Sequence, residues 1–193
     1  MLAASEIHRR FTALPGSEQI ASEYAIAGLQ RWMRRRVPGT ILEVGSGIGT
    51  LTATILDFVE HRPPGSLHPL PVPVGSNAVQ VAIEDDPWCR SQTLLNVGIY
   101  PWSHDEKPWI AHPWAAVVVD GGELRDDYYA HLCHGAVVFF EGNRRKQRTM
   151  LEVLWRGGRR FCKANWRPAD RSKGYWVYLF EPTVRELLWF ATV

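Results

Sequence analysis

Ile41-Leu42-Glu43-Val44-Gly45-Ser46-Gly47-Ile48-Gly49-Thr50 is the stretch that decides the fold. A short apolar strand pattern, Thr40 to Val44, runs into three glycines at a spacing of two, and a helical pattern follows from about Gly49 to Val59. Strand, glycine turn and helix in that order open a βαβ unit, the repeating piece of a parallel sheet. Glycine adopts backbone angles closed to other residues and lets a ligand approach the main chain. A tight turn without a ligand uses glycine in the same way, so the spacing alone leaves both readings open. Two details narrow them. The spacing is G-x-G-x-G, not the G-x-G-x-x-G that sets a pyrophosphate on a helix N-terminus. Glu43 also stands two residues before Gly45, and a carboxylate there repels phosphate and attracts an amine-bearing ligand.

Outward from this turn, strand and helix patterns alternate. Ala78–Glu84 reads as a second strand, and Pro87 as the first residue of a helix to about Asn96. Ala115–Val119 is an unbroken apolar run closed by Asp120, and Ala136–Phe140 repeats the pattern, closed by Glu141. Such runs mark central parallel strands. Helices are expected over Leu124–Leu132 and from about Arg144 to Trp155, and a short strand near Trp109-Ile110. Phe161–Trp166 and Tyr175–Phe180 alternate as a terminal antiparallel pair. Upstream, Ser17 is placed to cap a helix reaching Arg36, with Ala25, Leu29, Trp32 and Met33 on one apolar stripe. Residues 1–38 then form an N-terminal helical segment, and 39–193 the main domain. Arg62–Asn77 holds five of the 13 prolines and reads as an irregular loop. Ligands of open α/β sheets sit outside the carboxyl ends of the strands, so Glu43, Glu84, Asp120 and Glu141 share one side.

The 193 residues are 46% apolar and 22% charged, a folding composition of single-domain size. A chain of this length buries roughly 70% of its unfolded surface and needs no staple. Its 22 Lys+Arg against 20 Asp+Glu exclude a globally basic nucleic-acid coat but leave room for a local patch. No apolar run approaches the roughly 20 residues of a membrane span. The stretch Met1–Gly16, with Glu6, Arg9 and Arg10, does not read as a signal peptide. Three widely spaced cysteines, Cys89, Cys133 and Cys162, point to reduced thiols in a cytoplasmic protein. Nine tryptophans exceed what a core needs and suit aromatic walls around a pocket or interface.

Glu43–Gly49 resembles motif I of the class I S-adenosylmethionine-dependent methyltransferases: an acid, then three alternating glycines after the first strand. The resemblance implies that Gly45, Ser46, Gly47 and Gly49 pack against the methionine portion of the cofactor, and that Glu43 helps to hold its amino group. It also implies an acid at the end of strand two that accepts hydrogen bonds from the ribose hydroxyls. Val81–Pro87 matches, with Glu84 in that place and Asp85 or Asp86 as alternative registers. The 41 residues from Glu43 to Glu84 exceed the roughly 20 of a compact unit, and the proline-rich insertion accounts for the excess. Asp120 corresponds to an acid near the methyl group. Across about Thr40–Pro182 the resemblance implies a doubly wound, mostly parallel seven-stranded sheet with helices on both faces and a C-terminal antiparallel hairpin. The residue pattern itself yields six strands.

Methyl transfer from a sulfonium is an in-line displacement that demands alignment and exclusion of water. An oxygen nucleophile also benefits from a base. Asp120 is the first candidate and Glu141 the second, while Asp120 is equally placed to cap a helix from Leu124. With Asn143, these acids could hold Mg²⁺ through oxygen. The metal-dependent members of the family typically show Asp-Asn in direct succession after strand five, and here Gly142 intervenes, so a site without metal is expected. His131 and His134 share a presumptive helical face, but no further zinc ligands accompany them, and they read as surface or packing residues.

Charge is segregated. Arg144–Lys173 carries eleven basic and two acidic residues, net +9, and Glu84–Asp127 three basic and nine acidic, net −6. Cations at a helix N-terminus oppose its dipole, unlike Arg34-Arg35-Arg36 at a C-terminus. Trp155, Trp166 and Tyr175 interleave with the cations, a pattern used to stack bases; a solvated face or a subunit contact would look the same. The expectation is a cytoplasmic S-adenosylmethionine-dependent methyltransferase acting on an oxygen or nitrogen of a small, anionic acceptor, without membrane contact and compatible with a homo-oligomer. The alternatives are a non-catalytic methyltransferase-like binding protein and an RNA-directed enzyme using residues 144–173. The glycine spacing, Glu43 and the lack of an obvious Tyr-x-x-x-Lys disfavour a nicotinamide oxidoreductase.

Overall fold

A computed structural model describes residues 1–36, 39–61, 79–106, 113–122, 125–142, 144–156, 158, 161–167 and 174–184. The proline-rich loop at 62–77, the strand expected near Trp109-Ile110, Asn143 and much of the basic stretch beyond 156 lie outside these residues. So do the side chains of Trp155 and Trp166.

In chain order the elements are α1 (Ala4–Thr12), α2 (Glu23–Arg36), β1 (Thr40–Val44), α3 (Thr50–Glu60), β2 (Val79–Ile83), α4 (Pro87–Val97), β3 (Trp114–Val119), β4 (Leu132–Glu141), α5 (Arg145–Arg156), β5 (Phe161–Arg167) and β6 (Tyr175–Phe180). The strands form one sheet in the order β2-β1-β3-β4-β6-β5. β1 pairs parallel with β2 and β3, and β3 parallel with β4. β6 lies antiparallel between β4 and β5. The chain leaves β1 toward β2 on one side and returns to β3 on the other. Between β1 and β3 is therefore the switch point where a doubly wound sheet opens its crevice.

Among the described residues the sheet has six strands, against seven implied by the resemblance. Beyond β2 the ladder continues as a single parallel bridge between Ile83 and Trp102. Trp102 N–H donates to the Ala82 carbonyl, and Glu84 N–H to the Trp102 carbonyl, both at 2.9 Å. Pro101 has no N–H to extend the ladder, and a 3-10 turn at His104–Glu106 takes the chain away after Ser103.

Alternation along the strands sends apolar residues to two layers. Ile41, Ala116, Val118, Val137, Phe139 and Val177 meet Ile26, Leu29, Trp32, Leu51, Ile55 and Phe58 of α2 and α3. Leu42, Val44, Val117, Val119, Val138 and Phe140 meet Tyr128, Tyr129, Leu151 and Phe161. Every β3 residue is buried, which is why its sequence is apolar without alternation.

Two helical expectations differ from the structure. Ser17 begins only a 3-10 turn, Ser17–Gln19. The α2 cap is Ser22, whose Oγ accepts the Ala25 N–H at 3.2 Å. Ahead of it, α1 buries Ile7 and Phe11 in the layer beside α2 and α3. The helix expected over Leu124–Leu132 is a 3-10 turn at Asp126–Tyr129, and β4 already begins at Leu132. Tyr128 and Tyr129 are buried under the sheet, and Trp114 N–H takes the His131 carbonyl at 2.8 Å. Pairing with β3 and burial of the two rings override local helical pattern. His131 and His134 thus share no helical face, and His134 pairs with Glu181 at 3.0 Å.

No helix among the described residues is long and apolar enough to cross a membrane. Cys89 and Cys133 are free thiols.

Candidate functional site

The three glycines of the turn after β1 all have positive φ: 79° at Gly45, 55° at Gly47 and 99° at Gly49. Each is required for a different reason. A Cβ on Gly45 would stand 2.6 Å from the Gly121 backbone, which follows β3. A Cβ on Gly49 would stand 2.6 Å from Val97 Cγ2, at the end of α4. A Cβ on Gly47 would meet nothing within 4 Å. Gly45 and Gly49 therefore serve close packing within the protein, and Gly47 faces the open side. Gly45 N–H and Ser46 N–H both donate to the Ile83 carbonyl, at 2.9 and 3.2 Å, tying the loop to the end of β2.

Glu84 closes the loop from the other side. Its Oε2 accepts the Gly47 N–H at 2.7 Å, and its Oε1 the Asp86 N–H at 3.1 Å. Each oxygen keeps a second lone pair for a ligand. Its two acidic neighbours are placed differently. Asp86 Oδ1 caps α4 by accepting the Cys89 N–H at 2.9 Å, and Asp85 is exposed. The Glu84 carboxylate is thus hydrogen-bonded to the glycine loop.

Ser46 lies under the loop, buried, with its Oγ 3.3 Å from Thr93 Oγ1. Thr93 Oγ1 donates to the Gly47 carbonyl at 2.8 Å, and Asn96 Nδ2 to the Ile48 carbonyl at 3.0 Å. These α4 residues brace the loop and were not foreseen from the sequence. The signal was a pair of polar residues three apart on a helix whose buried positions reduce to Thr93.

Glu43 is fully buried beneath the loop. Its Oε2 accepts a hydrogen bond from Gln80 Nε2 at 3.0 Å, and its Oε1 is buried with no hydrogen-bond partner within normal distance among the described residues. Desolvation by burial pushes the carboxyl up to about 8, against the pull of Thr52 and Gln80. Burial therefore favours the neutral form of this carboxyl. β1 turns the Glu43 side chain inward, out of solvent.

At the ends of β3 and β4, Asp120 and Glu141 converge. Asp120 N–H donates to the Val44 carbonyl at 2.9 Å, which holds this strand end beside the glycine turn. Arg144, just before α5, places Nη2 2.8 Å from Asp120 Oδ1 and 3.3 Å from Glu141 Oε2. Burial raises the Asp120 carboxyl well above its ordinary range, Glu141 raises it further, and Arg144 pulls it back. Burial also raises Glu141, opposed by Arg144, by Asp120 and by the Ser22 backbone N–H. Two neighbouring buried carboxyls of this kind resist ionising together. Among the described residues Asp120 caps no helix: the next element is the 3-10 turn Asp126–Tyr129, which follows Arg125.

The basic run at the start of α5 separates by role. Arg144 is spent on the two acids. Arg148 stacks over Trp176, with its Cζ 3.8 Å from the ring centroid. Arg145 and Lys146 are exposed. Tyr175 is core: it stacks on Phe139 at 5.1 Å between centroids and is buried, so it offers no platform for a base. A cavity of about 360 Å³ between α1, α3 and α4 lies away from the carboxyl ends of the strands, lined by Asp57, His61 and Asn96 among others.

Comparison with solved structures identifies the fold. Over 92% of this chain and 90% of the other, it is similar to the O-methyltransferase of Bacillus cereus in complex with SAH, with a TM-score of 0.64 and 11% identity. The O-methyltransferase TomG of Streptomyces achromogenes in complex with SAM gives 0.58 and 18% identity, over 92% and 87%. The tRNA (m1A58) methyltransferase TrmI of Aquifex aeolicus gives 0.57 and 12%, over 90% and 75%. The fold is that of the class I S-adenosylmethionine-dependent methyltransferases. Neither a protein-family model nor a curated protein sequence matches the chain.

The residues of this class I fold suit S-adenosylmethionine at three points. Gly47 leaves the loop surface open, the Glu84 carboxylate lies against that loop, and Gly45 and Gly121 bring the ends of β1 and β3 together at the crevice. Among the described residues no group of three His, Cys, Asp or Glu is placed to hold a metal ion.

Proposed function

We propose that this chain binds S-adenosylmethionine and transfers its methyl group to an oxygen or nitrogen of a small, anionic acceptor. The observation that carries the reading is the Glu84 carboxylate bonded to Gly47 N–H at 2.7 Å, at the switch point of a class I methyltransferase fold. Glu84 would take the ribose hydroxyls, with Gly47 and its neighbours along the methionine portion. When bound, S-adenosylmethionine supplies an electrophilic methyl carbon. Asp120, beside the glycine turn and backed by Glu141, is the group placed to receive a proton from the acceptor. Arg145 and Lys146, exposed in the first turn of α5 next to Arg144 in the chain, favour an acceptor bearing negative charge.

The same exposed cations and the likeness to a tRNA methyltransferase favour one second reading, an RNA acceptor. Burial of Tyr175 removes one of its three aromatic supports. A non-catalytic binder would share the cofactor site and differ only in turnover.

Calorimetry with S-adenosylhomocysteine tests the reading. Wild-type protein is expected to bind it and to ignore NAD. Gly47→Ala is expected to fold, at about 1 kcal/mol for its left-handed backbone, and to bind at least tenfold more weakly, since its methyl group fills ligand space. No heat from folded wild type with either S-adenosylmethionine or S-adenosylhomocysteine would end the proposal. Transfer of labelled methyl to an acceptor separates enzyme from binder.

A further inference from the structure

Two acids on different strands converge on one cation, and the cation is a side chain of the same chain. The Asp120 and Glu141 side chains are each 10% exposed, and Arg144 is 33% exposed. One guanidinium nitrogen, Nη2, serves both carboxylates. Arg144 Nε is buried and has no partner among the described residues, so the fork is not used for a bidentate grip on either acid. The backbone here is committed as well: the Arg144 carbonyl accepts the Arg148 N–H at 3.0 Å in the first turn of α5. A cation at that end of a helix is opposed by the helix dipole. Its place is explained by the two acids, not by the helix.

Paired carboxylate oxygens at adjoining strand ends are the donor set that hard divalent cations take. A guanidinium in their midst supplies a single positive charge, half that of a divalent cation, with no coordination position left over. We propose that Arg144 is the resident counter-ion of this pocket, standing between Asp120 and Glu141 where a divalent cation would otherwise sit, and so acts as a positioning residue in a site that takes no metal. The inference rests on the strand-end geometry and is independent of the methyltransferase reading. Arg144 is not a solvated member of the basic run. It sets both the alignment of Asp120 and the ion selectivity of the pocket.

The test is Mn²⁺ binding followed by electron paramagnetic resonance on the full chain, without cofactor or acceptor. Wild type is expected to show no binding that depends on Asp120. Arg144→Met is expected to bind Mn²⁺ at least about tenfold more tightly than wild type, because it uncovers two buried acids. Arg144→Lys restores a cation and is expected to return the affinity to the wild-type level. The double variant Asp120→Asn, Arg144→Met is expected to lose what Arg144→Met gained. A folded Arg144→Met that gains no affinity overturns the proposal. So does Mn²⁺ binding by wild type that disappears in Asp120→Asn. If Arg144→Met does not fold, that wild-type comparison decides alone: no Asp120-dependent binding upholds the proposal. Retained binding of S-adenosylhomocysteine by Arg144→Met, where the wild type binds it, shows that the cofactor reading is judged separately.

Discussion

At the scale of single residues, three glycines that look alike in the sequence do three jobs. Gly45 admits the Gly121 backbone, Gly49 admits Val97, and Gly47 keeps a surface clear. The spacing could not say which glycine has open space beside it, because that depends on α4 and on the turn after β3, both distant in sequence. The position of Glu84 at a strand end was legible, for such an acid needs only the strand to be placed; its hydrogen bond from Gly47 N–H was not, because it depends on how the loop folds back. Removing that carboxylate in Glu84→Ala is expected to weaken S-adenosylhomocysteine binding by about 1–3 kcal/mol, the range for a charge-assisted hydrogen bond. An unchanged dissociation constant in calorimetry would take the ribose role away from it.

Glu43 shows placement working against residue type: its type signals charge, and its burial favours the neutral form. The carboxyl ionises near 4.5 in the unfolded chain and about 8 in the folded one. Between those pH values the unfolded state has released the proton and the folded state keeps it, so stability falls as pH rises, by up to about 1.4 kcal/mol per unit. Asp120 adds a loss of the same sign. Urea midpoints at pH 5 and pH 8 are expected to differ less for Glu43→Gln than for wild type. Equal differences would show that Glu43 is not the buried proton carrier.

At the scale of elements, the strands were readable and two helices were not. Ala115–Val119 and Ala136–Phe140 are apolar without alternation, and only burial on both faces explains such runs. The segment before β4 carried helical residues, yet Tyr128 and Tyr129 gain more from the space under the sheet. α1 lay outside any motif, and its anchors, Ile7 and Phe11, acquire meaning only once α2 and α3 stand beside it. Arg144 was read as one of a run, and its acids became visible only when β3 and β4 were laid parallel. One helix–sheet contact was also hidden. A Cβ on Gly28 of α2 would overlap the Tyr175 ring of β6. That ring is also stacked on Phe139 and cannot give way. Gly28→Ala, usually stabilising in a helix, is expected to cost about 1–3 kcal/mol by overpacking. A melting temperature at or above wild type would refute this.

At the scale of the whole molecule, the site draws on every strand end along one half of the sheet. The glycine turn, the end of β2, the Trp102 bridge and the turn after β3 are linked by main-chain hydrogen bonds or direct contact. A ligand gripping any of them should steady all. With S-adenosylhomocysteine at one hundred times its dissociation constant, folding is expected to gain about 2.7 kcal/mol. Hydrogen exchange is expected to slow together at Gly45–Gly49, Ile83–Asp86 and Trp102, and to stay unchanged in α1. Slowing confined to Gly45–Gly49 would mean that these parts do not act as one unit.

The meeting of Gly45 and Gly121 has a lopsided mutational consequence. A methyl group grown from Gly45 collides with its opposite number at 2.6 Å, whereas one grown from Gly121 finds Gly45 at an ordinary 3.8 Å. Saturation libraries at the two positions would therefore look nothing alike: a blank row at the first, and a tolerant one, alanine foremost, at the second. The seam between the two halves of this sheet can be loosened from one lip only.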